Sequence, residues 1–251
     1  MIYIIKGKKM IGNLSDDEIY LPENIKQAII DNFNELKDSG LNIWNGSIMC
    51  VAEIIVEDEF VKVVCKKSDY AHYLYAEKNG LPAEYGCKNI SAGCVLETKD
   101  GFFVVGELGK NTSYPRMIQT TGGNIDQKND IKNGEIDFLN TIVREAKEEL
   151  DIDLSDNNLV SNHEITYMYI EEMDKQKGVR ILSTAKIEMT AKELKEHFEK
   201  YNEYLINNKL ETEFDKLYFL KRENVMQELN KLNNPKREYL VKILEYESRN
   251  R

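Results

Sequence analysis

An α+β fold is predicted by three features of this 251-residue chain. β-rich runs come in pairs split by turn signals, a periodic apolar stretch marks a helix after the second pair, and further strands and capped helices close the chain. Met1–Ile5 is a short apolar strand candidate. Pro22 opens a helix with apolar positions at Ile25, Ala28, Ile29, Phe33 and Leu36, ending near Gly40. Ile48–Val56 and Phe60–Cys65 flank the acidic turn Glu57-Asp58-Glu59 and read as a hairpin. A tyrosine- and histidine-rich stretch follows (Tyr70, His72, Tyr73, Tyr75) and is broken at Gly80-Leu81-Pro82. A second hairpin, Ile90–Leu96 and Phe102–Leu108, turns at Thr98-Lys99-Asp100-Gly101, where Asp-Gly is the characteristic signal. A helix spans roughly 135–150, followed by strands at His163–Ile170 and Val179–Ile187. Thr190 caps a further helix, Leu217–Leu220 is a last strand candidate, and helices near 222–232 and 236–248 end the chain.

Composition excludes several function classes. Thirty-four Lys and Arg against 44 Asp and Glu give a formal net charge of −10. That argues against a nucleic acid partner, which needs clustered positive charge. No stretch approaches the length of apolar sequence that spans a bilayer, so no membrane partner and a cytoplasmic location are expected. Cys50, Cys65, Cys87 and Cys94 form no C-x2-C pair, and the expectation is four buried small hydrophobes without zinc or disulfides. His72, His163 and His197 share no metal spacing and are expected on the surface or in packing, and Trp44 is expected as a core anchor.

Chemistry concentrates in Arg144-Glu145-Ala146-Lys147-Glu148-Glu149. Phe138, Leu139, Ile142, Val143, Ala146 and Leu150 give this stretch an amphipathic helical period. At about 100° per residue, Glu145, Glu148 and Glu149 share an arc of roughly 100° beside the apolar stripe. Three crowded carboxylates repel one another unless a hard cation such as Mg2+ or Mn2+ takes them as ligands.

These residues resemble the Nudix box, G-x5-E-x7-R-E-U-x-E-E-x-G-U with U a bulky aliphatic. Gly122-Gly123, Glu135, Arg144, Glu145, Glu148, Glu149 and Ile152 carry the resemblance, with Ala146 a small version of the aliphatic position. Three departures stand out. Eleven residues separate Gly123 from Glu135 where the box has five, which suggests a looped insertion within Asn124–Asn133. Eight separate Glu135 from Arg144, so Asp137 competes with Glu135 for the upstream position. Asp151 replaces a glycine, and Asp tolerates the left-handed conformation needed there.

The resemblance implies a Nudix α/β/α sandwich over residues 86–251, preceded by a small α+β extension over 1–85. It implies Mg2+- or Mn2+-dependent hydrolysis of a nucleoside diphosphate linked to a second moiety. Glu145, Glu148 and Glu149 would be the metal ligands. Glu145, Arg144 and Glu148 would form the catalytic group, with Glu145 a ligand or base and Arg144 orienting a carboxylate. Gly122, Gly123 and Arg116 would meet substrate. The front segment, with Asn45-Gly46, Lys67-Ser68-Asp69-Tyr70 and Ile90-Ser91-Ala92-Gly93, is loosely similar to Nudix proteins related to UDP-sugar diphosphatases, which favours a nucleotide sugar. A Nudix-fold module that binds nucleotide without cleaving it is the alternative. The expected partner is a small-molecule nucleotide, and the apolar N-terminal hairpin must be covered either by the core or by a second copy in a homodimer.

Overall fold

A computed structural model describes residues 3–110, 112–173 and 176–249. The chain opens with β1 (Tyr3–Lys6), β2 (Lys9–Leu14) and α1 (Glu23–Asp38). It continues through β3 (Ser47–Val56), β4 (Phe60–Asp69) and α2 (Tyr70–Asn79), then β5 (Ile90–Thr98) and β6 (Phe102–Leu108). Four short strands follow: β7 (Ile118–Gln119), β8 (Thr121–Asn124), β9 (Ile131–Lys132) and β10 (Glu135–Ile136). Then come α3 (Phe138–Leu150), β11 (Val160–Met173), β12 (Gln176–Ile187), α4 (Ala191–Asn207), β13 (Phe214–Lys221), α5 (Val225–Lys231) and α6 (Glu238–Arg249). The α+β class is as the sequence predicts. Met1 and Ile2, part of the first strand candidate, lie outside the described residues.

Two compact units form. The first runs to Ala92 and takes in Gly123–Thr141 and Ile165–Leu182; the second comprises Gly93–Gly122, Ile142–Glu164 and the chain from Ser183 onward. The expected boundary at residue 85 thus falls inside the first unit, which gathers its strands from three separate stretches of chain.

In the first unit, β3, β4, β2, β10 and β9 form a sheet in that order. β3 and β4 are the expected hairpin, antiparallel from Ser47↔Asp69 to Val56↔Val61, while β2 joins β4 in parallel. The Asn124–Asn133 segment is not the simple loop expected. Asp126 and Asp130 bond the local main chain, Asp130 being fully buried, and Asn133-Gly134 turn the chain into the β9–β10 hairpin. Both turn residues have positive φ, 52° and 78°, which Asn and Gly tolerate. β10 then pairs with β2 through Glu135↔Asn13 and Ile136↔Gly12. Gly12 has no side chain for a reason: a Cβ there would lie 2.6 Å from the Phe138 ring. β1 pairs with β11, Tyr3↔Ile170 to Lys6↔Tyr167. α1 and α2 pack through Ile29, Phe33, Ala71 and Leu74.

A chain beginning at Lys88 would lose β1, β2, β3 and β4, leaving β10 without β2 and β11 without β1. Unpaired strand edges and exposed apolar faces promote aggregation. Size-exclusion chromatography and thermal melting of that chain should show aggregation and a lowered Tm; an unchanged monomer would show the segment to be dispensable.

In the second unit, β6 lies between β5 and β13, with Leu96↔Val104 on one side and Phe102↔Lys221 to Leu108↔Phe214 on the other. The Asp100-Gly101 turn forms as expected, with Gly101 at φ 86°. Thr190 and Glu193 form a reciprocal capping box on α4. Arg222 grips Glu97 with Nε and Nη2 and donates from Nη1 to the Glu247 carbonyl, tying β5, β13 and α6 together.

Two expectations are corrected. Trp44 is 73% exposed, and its ring lies over Gly46 instead of anchoring the core. Cys50 and Cys87 form a disulfide, because Val51 donates to the Lys88 carbonyl at 2.7 Å and draws the two cysteines side by side. Cys65 and Cys94 are buried free thiols as expected, and burial pushes each up to about 12. Among the described residues, no helix is long and apolar enough to cross a membrane.

Candidate active site

α3 supplies the acidic face. Asp137 caps its first turn by accepting the Asn140 N–H at 3.0 Å, and Ile142, Ala146 and Leu150 bury its apolar stripe. The helix ends where Asp151 takes φ 55°, with its N–H on the Lys147 carbonyl and the Ile152 N–H on that of Ala146. Asp151 therefore fills the glycine position in the left-handed conformation.

Residues 145 and 149 are one turn apart and about 40° around the helix axis, so they face the same way. Both are buried, and their carboxylate oxygens lie within 4.8 Å of each other and of Glu213, just before β13. Glu149 is pinned: Thr121 Oγ1 and the Gly122 N–H, at 2.9 Å, both donate to its Oε2. Gly122 adopts φ 133°, which a residue with a Cβ rarely reaches. The other oxygen, Oε1, is buried without a partner among the described residues.

Burial and mutual repulsion disfavour charge on this cluster. Burial pushes Glu145 up to about 7, with the Glu213 and Glu148 charges adding to the rise and Arg144 opposing it. Burial raises Glu149 well above the usual carboxylate range, and the charges on Glu213 and Glu145 raise it further. Three carboxylates this close, two buried and Glu213 exposed, fit a hard divalent cation, which would take oxygen ligands and offset their repulsion.

Glu148, expected among the ligands, is placed differently. It lies about 60° from Glu145 on the side away from Glu149. Its side chain is 60% exposed and receives Arg144 Nη1 at 3.2 Å. The same Nη1 sits 2.7 Å from Glu145 Oε1, so Arg144 spans Glu145 and Glu148. Glu135 is an exposed residue of β10 paired with Asn13, and Asp137 is a helix cap. Arg116 takes φ 61° and pairs at 2.7 Å with buried Glu107, which also accepts the Tyr218 hydroxyl at 2.6 Å. Half of the Arg116 side chain stays open to solvent. Gly123 is half-buried in β8, next to Gly122.

Glu213 was not singled out by the sequence. Its only signal is the alternation Glu211, Glu213, Asp215 ahead of a strand, which a solvated face would also produce. The fold positions it: Gly109 donates to its carbonyl at 2.9 Å, and Phe214 beside it covers Gly106 of β6. A Cβ at Gly106 would overlap that ring. Gly106→Ala should therefore cost about 1–3 kcal/mol, as overpacking does, and weaken any binding of Mg2+ to the cluster by displacing Glu213. A denaturant midpoint and a Mg2+ titration check both effects.

No protein-family model matches the sequence, and a search of curated proteins finds no match. Among solved structures, the chain is similar to a MutT protein from Methanosarcina mazei Go1 at 13% identity, covering 64% of this chain and 92% of that one, with a TM-score of 0.41. An Ap4A hydrolase of C. elegans matches at 16% identity over 62% and 92%, TM-score 0.39. A NUDIX hydrolase from Alicyclobacillus acidocaldarius matches at 10% identity over 65% and 92%, TM-score 0.41. Similarity this slight carries neither activity nor substrate over to the present chain.

Proposed function

We propose that this chain is a Nudix-type hydrolase that cleaves the diphosphate of a nucleoside diphosphate linked to a second moiety, with a nucleotide sugar favoured. The observation that carries this reading is the convergence of one carboxylate oxygen each from buried Glu145, buried Glu149 and exposed Glu213 to within 4.8 Å of one another. The Nudix-like arrangement of Gly122-Gly123 and Arg144 to Glu149 supports it from the sequence.

Glu145, Glu149 and Glu213 would hold Mg2+ or Mn2+. When bound, the cation offsets the charge of the diphosphate oxygens and acidifies a water for in-line attack on phosphorus. Thr121 and Gly122 lock the Glu149 carboxylate, so little reorganisation is needed when ligands arrive. Glu145, held at 2.7 Å by Arg144, would either ligate the cation or accept the water's proton. Arg144 is a positioning residue for Glu145, and Glu148 steadies Arg144 from the solvent side. The exposed half of Arg116 offers a cation to a phosphate, whereas Gly122, buried with its N–H on Glu149, acts by holding that carboxylate.

The N-terminal similarity to UDP-sugar diphosphatase relatives favours a UDP-sugar over ADP-ribose. The test is a panel of nucleotide sugars, ADP-ribose, dinucleoside polyphosphates and nucleoside triphosphates, with Mg2+ or Mn2+, scored for nucleoside monophosphate. Highest kcat/KM on a nucleotide sugar supports the full reading. Higher values on dinucleoside polyphosphates overturn the substrate but keep the chemistry. Tight binding with no turnover of any compound would turn the chain into a nucleotide-binding module.

A further inference from the structure

Outside the acidic cluster, the first unit gathers a second set of metal-binding side chains. Cys50 stands in β3, Cys87 lies in the segment drawn against it, and His72 occupies the first turn of α2, where Asp69 accepts its N–H at 2.9 Å. All three are buried, at 2%, 0% and 3% exposure. Their two sulfurs and a ring nitrogen lie within 4.8 Å of one another.

The histidine is oriented, not merely packed. Its Nε2 lies 2.7 Å from the Tyr85 carbonyl, which can only accept, so Nε2 carries the proton. In the neutral ring this leaves the Nδ1 lone pair facing Ser68 Oγ at 2.9 Å. Ser68 Oγ is in turn 3.6 Å from Cys87 Sγ. An imidazole whose N–H is fixed by a main-chain carbonyl, and whose lone pair lies on a hydroxyl that itself sits beside a cysteine sulfur, is set up as proteins set up metal-ligating histidines. A cavity of about 350 Å3 is lined in part by Asn45, Asp69 and His72.

We propose that Cys50, Cys87 and His72 form a Zn2+ site in the reduced chain, with Ser68 Oγ as the fourth donor, and that the Cys50–Cys87 disulfide is the closed form of that site. A dithiol reductant delivers two electrons and two protons to the S–S bond and becomes a disulfide itself, leaving two thiols. Zn2+ then displaces both thiol protons to solvent. Two thiolates and one Zn2+ sum to zero charge, so the loaded centre can remain buried, whereas two bare thiolates could not. Soft sulfur with imidazole selects zinc over Mg2+, which distinguishes this centre chemically from the carboxylate cluster.

The test titrates Co2+ into the full chain after reduction with a phosphine and removal of excess reductant. Thiolate-to-cobalt charge-transfer absorption and the intense visible bands of a tetrahedral ion should appear at one Co2+ per chain, and Zn2+ should abolish them. Carboxylates cannot give the charge-transfer band, so binding at Glu145, Glu149 and Glu213 does not interfere. The oxidised chain should show no such band. Cys50→Ser with Cys87→Ser should remove it, and His72→Ala should weaken Zn2+ by at least about tenfold. A reduced wild-type chain without the band overturns the proposal, whatever its fold. So does a band that survives the double cysteine variant.

Discussion

Glu149→Gln should lower Mg2+-dependent turnover by at least about two orders of magnitude, the scale on which removing a charged transition-state contact acts. The substitution preserves shape. A glutamine oxygen still accepts from Thr121 and Gly122, and its amide can donate to the neighbouring acids. The fold therefore survives, and the metal-free chain gains stability near neutral pH because glutamine is buried uncharged without having to take up a proton. Loss of activity with gain of stability is the signature of a residue held for function. Near-wild-type turnover, measured at saturating Mg2+, would show that Glu149 is not a metal ligand.

The second expectation is a pH-dependent stability that a divalent cation reverses. In the metal-free chain Glu145 titrates at about 7 against an ordinary 4.5, and Glu149 is also raised. The folded state thus holds protons that the unfolded chain has already released. Where the native state binds more protons, stability falls as pH rises. The fall begins near 4.5 and continues to about 7 for Glu145, and the raised Glu149 acts in the same direction. Mg2+ takes the place of those protons, so its effect grows with pH. At a hundred times its Kd it should stabilise by about 2.7 kcal/mol. Thermal melts with and without Mg2+ should differ far more at pH 8 than at pH 5. Glu145→Gln should flatten the metal-free profile, and an equal Mg2+ effect at both pH values would contradict the assignment.

Much of the site was legible because local chemistry dictates it. The helical period puts Glu145 and Glu149 on one face whatever the tertiary context, and Asp151 and Thr190 terminate helices by short-range hydrogen bonding. Asp100-Gly101 fixes its hairpin for the same reason. What escaped depends on distant chain. Glu213 joins the cluster only because β13 pairs with β6, and nothing in its neighbourhood signals that. Glu148 shares the acidic flank with Glu145, yet sequence spacing alone cannot say which side of the flank meets the cluster. Asn133-Gly134 is a hairpin signal, but its strands are two residues each and become visible only once β2 is available to pair. Cys50 and Cys87, 37 residues apart, meet through the contact of β3 with the segment at Lys88. Trp44 is exposed because Gly46 gives its ring a surface to lie on, an arrangement that hydrophobicity does not encode.

The most direct measurement is a Mn2+ titration followed by electron paramagnetic resonance of the free ion, on the wild-type chain and on four single Glu→Gln variants. Replacement of Glu145, Glu149 or Glu213 should each weaken Mn2+ binding by at least about tenfold, while Glu148→Gln, which removes an exposed partner of Arg144, should change it by less than about threefold. Unaltered binding in Glu213→Gln together with a loss in Glu148→Gln as large as that in Glu149→Gln would contradict the carboxylate cluster as the metal centre.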